Sequence, residues 1–177
     1  MLFSDRSLWT MAHGILLGGA PLMALSAALF LLYATRLSEP APIGARTESR
    51  AFTGLTVFTA VTLWLTIFIG TYIVFPPYRA APPAGVTNLA MYPRSLILAN
   101  PDTAWLHSFA MESKEHVPWI AAMLVSAVAF VAVWYRSRLL SDRLLRRWSA
   151  VLLSIAFALV AFISLLGILV NKAAPLE

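Results

Sequence analysis

A chain of 177 residues has the length of one domain, but 60% of it is hydrophobic, only 12% is charged, and its mean hydropathy is +0.78. A soluble particle of this size has too little interior to bury so much apolar surface, so the composition specifies a membrane-embedded protein. With no cysteine, disulfides, thiolate metal sites, thioether-linked haem and iron–sulfur clusters are excluded. The net charge of +5 does not indicate nucleic acid: the arginines sit in short segments between apolar runs and accompany no base- or phosphate-reading fold.

A helix must satisfy its own backbone hydrogen bonds across about 30 Å of hydrocarbon, which takes about 20 apolar residues. The first such run, 11–33, is interrupted by Pro21 just after Gly18 and Gly19, which predicts a kink and close backbone approach. It lacks the basic leader and small-residue cleavage site of a signal peptide and is expected to remain as a span. The second run, 52–75, carries Thr59, Thr62 and Thr66 on one face. Threonine hydroxyls return to their own helix backbone, so this face is expected to be a packing seam.

The connection 76–116 is the unusual segment. Pro76, Pro77, Pro82 and Pro83 predict an extended, irregular first part. Asn100, Pro101 and Asp102 then supply a cap, a first-turn proline and an acid for a helix N-terminus. That helix either continues with a kink through Pro118 into the third run, 117–135, or ends as a surface helix near His116, with Pro118 opening the span. A fourth run covers 148–170. The expected fold is all-α: an integral membrane four-helix bundle, one domain over 1–177, with a long extracytoplasmic loop between helices two and three.

Orientation follows from the basic residues on alternate sides. The N-terminus, the 76–116 loop and the C-terminus hold five, Arg6, Arg79, Arg94, Lys114 and Lys172, whereas the two short connections hold eight, Arg36, Arg46, Arg50, Arg136, Arg138, Arg143, Arg146 and Arg147. The positive-inside rule puts the short connections in the cytoplasm and both termini with the 76–116 loop outside, as in a bacterial inner membrane.

All three histidines, His13, His107 and His116, then fall on the outer side, where ionisable groups are costly unless they meet a partner, cavity or cofactor. On a continuous α-helix Glu112, Glu115, His116, Trp119 and Met123 share one face, and His107 lies about 180° from His116. Imidazoles from two helices can clamp a haem iron inside a bundle. His13 and His116 are the best pair on this reading, with His107 as substitute, Gly14, Gly18 and Gly19 making room for the ring, and Arg79, Arg94 or Lys114 neutralising propionates. His13, His116 and Glu112, with Glu115 in support, equally suit non-haem iron. Copper has only Met11, Met111 and Met123 beside these, and methionine is a general packing residue. A quinone needs only a hydrogen-bonding histidine or carboxylate and aromatic walls such as Trp105, Trp119, Tyr72 and Phe75. Against all of these stands the plain alternative of snorkelling histidines and a solvated turn at Glu112–His116 with i,i+4 pairing. No phosphate loop, nucleophile elbow or HExxH motif is present, and the span interiors offer no charge relay across the bilayer.

Four spans with His13, His107 and His116 near one face resemble the small four-helix membrane cytochromes of b type, an architectural resemblance that covers most of the chain. The resemblance implies electron transfer between a quinol and a haem partner, as a subunit of a respiratory or photosynthetic complex. It also implies one b-type haem near the extracytoplasmic face, held by His13 and either His116 or His107. The alternatives are a cofactor-free accessory subunit of a larger membrane complex and a non-haem metal- or quinone-dependent membrane oxidoreductase.

Overall fold

Four stretches of helix, Asp5–Ala34, Thr47–Arg79, Pro101–Tyr135 and Arg143–Ala173, are long and apolar enough to cross a membrane. The computed structural model describes residues 5–37 and 44–175, with no β-strand among them. The side chains of Arg36 and Arg46, and Glu177, lie outside the described residues. The first span is built of α1 (Asp5–Met11), a π-helical segment Ala12–Leu17 and α2 (Gly18–Leu37); the second of α3 (Gly44–Ile69), a π-helical segment Gly70–Val74 and α4 (Phe75–Arg79). A short α5 (Pro93–Ala99) precedes the third span, which joins α6 (Pro101–Trp105), a π-helical segment Leu106–Met111 and α7 (Glu112–Tyr135). After α8 (Ser137–Ser141) the fourth span is one uninterrupted helix, α9 (Arg143–Ala173).

The spans form a ring in chain order: α2 packs on α3, α3 on α7, α7 on α9, and α9 back on α2. This is an up-down-up-down bundle in which each helix meets its sequence neighbours. Lipid offers helices no hydrophobic drive to associate, so contact depends on close fit and interhelical hydrogen bonds. The core supplies that fit with fully buried Ala28, Ala121, Ala122, Ala132 and Ala156 interleaved with Leu25, Phe52, Val125 and Leu153. The threonine seam forms as expected: Thr59 donates to the Leu55 carbonyl at 2.7 Å and Thr62 to the Phe58 carbonyl at 2.8 Å. Between spans, the Trp64 indole N–H donates to Ser126 Oγ at 3.0 Å.

The connection after the second span departs from expectation. Pro76 and Pro77 are not extended but occupy the first turn of α4, where a missing N–H costs nothing. Irregular chain in this connection is limited to 80–92 and to Asn100. Asn100 caps the third span as expected, its side chain accepting from the Asp102 N–H at 2.9 Å. Pro118 lies inside α7, so of the two alternatives the single continuous helix is the one adopted. At the far end Arg136 turns the chain at a φ of 49°, and Asp142 caps α9 by accepting from the N–H groups of Leu144 at 2.8 Å and Leu145 at 3.1 Å.

Candidate functional site

A cavity of about 560 Å³ opens among the four spans at the end where the first and third begin and the second and fourth finish. Each helix presents one face to it at three- and four-residue steps. These are Thr10, His13, Gly14, Leu17 and Gly18 from the first span and Leu63, Thr66, Ile67, Gly70, Thr71 and Val74 from the second. The third contributes Met111, Lys114, Glu115, Pro118 and Trp119, and the fourth Val160, Ile163, Ser164, Gly167, Ile168 and Asn171. All three π-helical segments lie at this end, and wide turns of this kind recur at functional sites because they displace a helix face without ending the helix.

Proline and threonine together fix the first span here. Pro21 has no N–H, so the Leu17 carbonyl four residues earlier loses its helical donor. The Thr66 hydroxyl of the second span takes that place, 2.8 Å from the Leu17 carbonyl and 2.6 Å from that of Thr62. The π-helical segment Ala12–Leu17 accordingly packs on α3. His13 follows it inward: a methyl group built on Gly70 would stand 2.7 Å from His13 Cε1, so only glycine lets the ring lie against the second span. The imidazole Nδ1 is buried with no hydrogen-bond partner. An orphaned buried polar atom of this kind costs about 1–3 kcal/mol.

Lys114 makes the matching arrangement on the opposite wall. A methyl group at Gly167 would stand 2.7 Å from Lys114 Nζ, so the ammonium rests in a notch of the fourth span. In a ring of four helices the second and fourth are diagonal, and the two notches put an imidazole and an ammonium on opposed walls of one cavity. Apolar side chains fill most of the remaining lining, with Trp119, Phe75 and Tyr78 as its large aromatics. Ile15 and Ile168 line the cavity yet are 66% and 65% exposed, so at the seam of the first and fourth spans the wall also faces the outside of the bundle.

The other expected site residues are distributed differently. His116 does not line the cavity; it is exposed, and its Nδ1–H donates to the Glu112 carbonyl at 2.8 Å. Glu112 is exposed with it, whereas Glu115 lines the cavity. The face chosen from sequence was thus one residue out of phase: the inward set is Met111, Lys114, Glu115, Pro118 and Trp119, and His116 points about 100° away from Glu115. His107 sits within the wide turn Leu106–Met111, where an α-helical angular count does not apply. Both its nitrogens are committed, Nδ1 to the Tyr78 hydroxyl at 3.0 Å and Nε2, as acceptor, to Arg94 Nε–H at 3.2 Å. That triad ties the end of the second span, α5 and the third span together. Arg79 lies over the Phe75 ring at 5.4 Å.

Among the described residues no three metal-ligating side chains gather, so His13, His116, Glu112 and Glu115 do not form one cluster. Of the aromatics expected as quinone walls, Trp119 and Phe75 line the cavity and Trp105 and Tyr72 do not. Gly14 and Gly18 line it and Gly19 does not. Gly70 and Gly167 escaped the sequence reading; the only available signal was an isolated glycine in each otherwise apolar run, at the depth of a titratable residue on another span. No family model, curated protein or solved structure matches this chain.

Proposed function

We propose that this chain is a membrane electron-transfer subunit that holds a lipid-soluble cofactor of the quinone class in the cavity at the His13 end. The observation that carries this reading is the buried, partnerless His13 Nδ1 on the wall of a largely apolar cavity. A few polar groups converging in an apolar pocket of about 300–1,000 Å³ are the usual form of a small-molecule site. The seam flanked by Ile15 and Ile168 supports entry from the bilayer, the route a ligand with an isoprenoid tail requires. Placing eight of the thirteen basic residues in the short connections supports an extracytoplasmic cavity in a bacterial inner membrane. The partners would be other membrane subunits that deliver or remove the electrons.

A second reading has support from the same unpartnered nitrogen: one b-type haem held by His13. An absorption spectrum of the purified chain separates the two. The quinone reading expects no Soret or α-band, quinone in the organic extract, and at least tenfold weaker binding of added short-chain quinone in His13→Ala. A reducible Soret band that disappears in His13→Ala would transfer the site to haem, and colourless protein that takes up neither would leave an accessory subunit. Sidedness has its own test, because the chain contains no cysteine. A single cysteine at Ala84 should react with an impermeant maleimide added outside intact cells, and one at Ser141 should not.

A further inference from the structure

The end of the bundle opposite the cavity carries a charge imbalance that its own residues do not relieve. Residues 136–147 hold five arginines, Arg136, Arg138, Arg143, Arg146 and Arg147, and a single acid, Asp142. Asp142 accepts from the Leu144 and Leu145 N–H groups, and Glu48, also at this end, makes no ion pair with the arginines. Arg146 is committed to the backbone: its Nη1–H donates to the Leu140 carbonyl at 3.0 Å. With Leu139 and Leu140 buried, that bond holds α8 against α9. The other four guanidinium groups are exposed and have no hydrogen-bond or ion-pair partner among the described residues. They stand where the third span ends and the fourth begins, the level of lipid headgroups.

Arg143 and Arg147 lie four residues apart on one face at the start of α9. Like charges at that spacing repel, and the positive pole of the helix adds to the repulsion. Arg136 and Arg138 form a second pair at the turn into α8, which packs on α9. Beside Arg143 and Arg147 runs an exposed apolar stripe of the same helix, Leu144, Trp148, Val151 and Ile155, at steps that keep to one face. Guanidinium groups take phosphate oxygens bidentately, and an apolar stripe leading away from them suits an acyl chain. We infer that this end of the bundle binds an anionic phospholipid whose headgroup carries two phosphates. One phosphate sits on Arg143 and Arg147 and the other on Arg136 and Arg138, with an acyl chain along the stripe. The lipid relieves the repulsion within each pair, and Arg146 keeps the two pairs on one unit. The surface lies at the other end of the spans from the cavity and serves whatever the cavity holds.

The test titrates the full-length, delipidated protein in detergent with tetraoleoyl cardiolipin and with dioleoyl phosphatidylglycerol, which carries one phosphate, and counts bound lipid by native mass spectrometry. Native protein is expected to bind cardiolipin about thirtyfold more tightly, because two further arginines engage it. Replacing one pair, Arg143→Gln with Arg147→Gln, should lower cardiolipin affinity by the same factor, to the level of phosphatidylglycerol. The thermal midpoint of that variant in zwitterionic detergent should not fall, since removing mutually repelling exposed charges costs no native contact. Arg136→Gln with Arg138→Gln provides the same reading on the other pair should the first variant fail to fold. Lys172→Gln, at the cavity end, should leave lipid affinity unchanged. Equal affinity of the native protein for the two lipids, or no binding of either, overturns the proposal. So does a loss in Lys172→Gln as large as in the paired variants, or displacement of cardiolipin by equimolar inorganic pyrophosphate, which would assign the arginines to a soluble anion.

Discussion

The two ends of this bundle are made of similar apolar helices and behave differently. Where the second span begins and the third ends, the helices are regular, alanines face one another, and the Thr53 hydroxyl reaches across to the Ala132 carbonyl at 3.3 Å. Where the first and third begin, three of the four spans widen into π-helical turns, prolines interrupt the backbone ladder, and a cavity of about 560 Å³ remains. Closure in a membrane bundle thus depends on small side chains meeting at a regular register, and an opening results where the register changes. Apolarity alone does not distinguish the ends, because lipid satisfies an apolar face as well as another helix does.

Substitutions can break this contrast in graded steps. The largest effect is expected from Ala122→Phe, which forces an aromatic ring into a fully buried contact of the core. Overpacking of this kind costs about 3 kcal/mol, and the thermal midpoint in detergent should drop accordingly or the protein should fail to assemble. Thr66→Val comes next. It preserves shape but strips the hydroxyl from the Leu17 carbonyl, for which Pro21 provides no donor; interhelical bonds in membranes are worth up to about 1.7 kcal/mol, and the loss should be near that limit. An unchanged midpoint would mean that the hydroxyl's bond across the spans contributes nothing to stability.

Smaller still is Asp142→Ala, which uncaps α9 at the closed end and should cost about 1 kcal/mol, visible as faster amide exchange at Leu144 and Leu145. The smallest effect belongs to Gly14→Ala. Nothing lies within 4 Å of the added methyl, so stability should stay within about 0.5 kcal/mol of native. A large loss there would show that the cavity end is packed as tightly as the other.

Much of this was legible beforehand, for identifiable reasons. The four spans follow from run length, since the cost of an unbonded backbone in hydrocarbon leaves little choice of structure. The threonine seam and the Asn100 cap follow from local hydrogen bonding, which involves only neighbouring residues. His13 was singled out because an ionisable group at that depth needs a reason, and it lines the cavity. Its supposed partner His116 was not brought beside it in the cavity, because packing against the neighbouring spans sets the rotation of α7 about its axis, and that rotation turns Lys114 and Glu115 inward rather than His116.

The sequence by itself determined an all-helical chain with four segments able to cross a membrane, since period, length and composition act within single helices. Only the tertiary structure decided which face of each helix turns inward, that Gly70 and Gly167 receive His13 and Lys114, and that His107 is occupied by Tyr78 and Arg94. Those outcomes depend on helix rotation and on wide turns, which shift a face by a fraction of a turn at small energetic cost and leave little trace in hydrophobic periodicity.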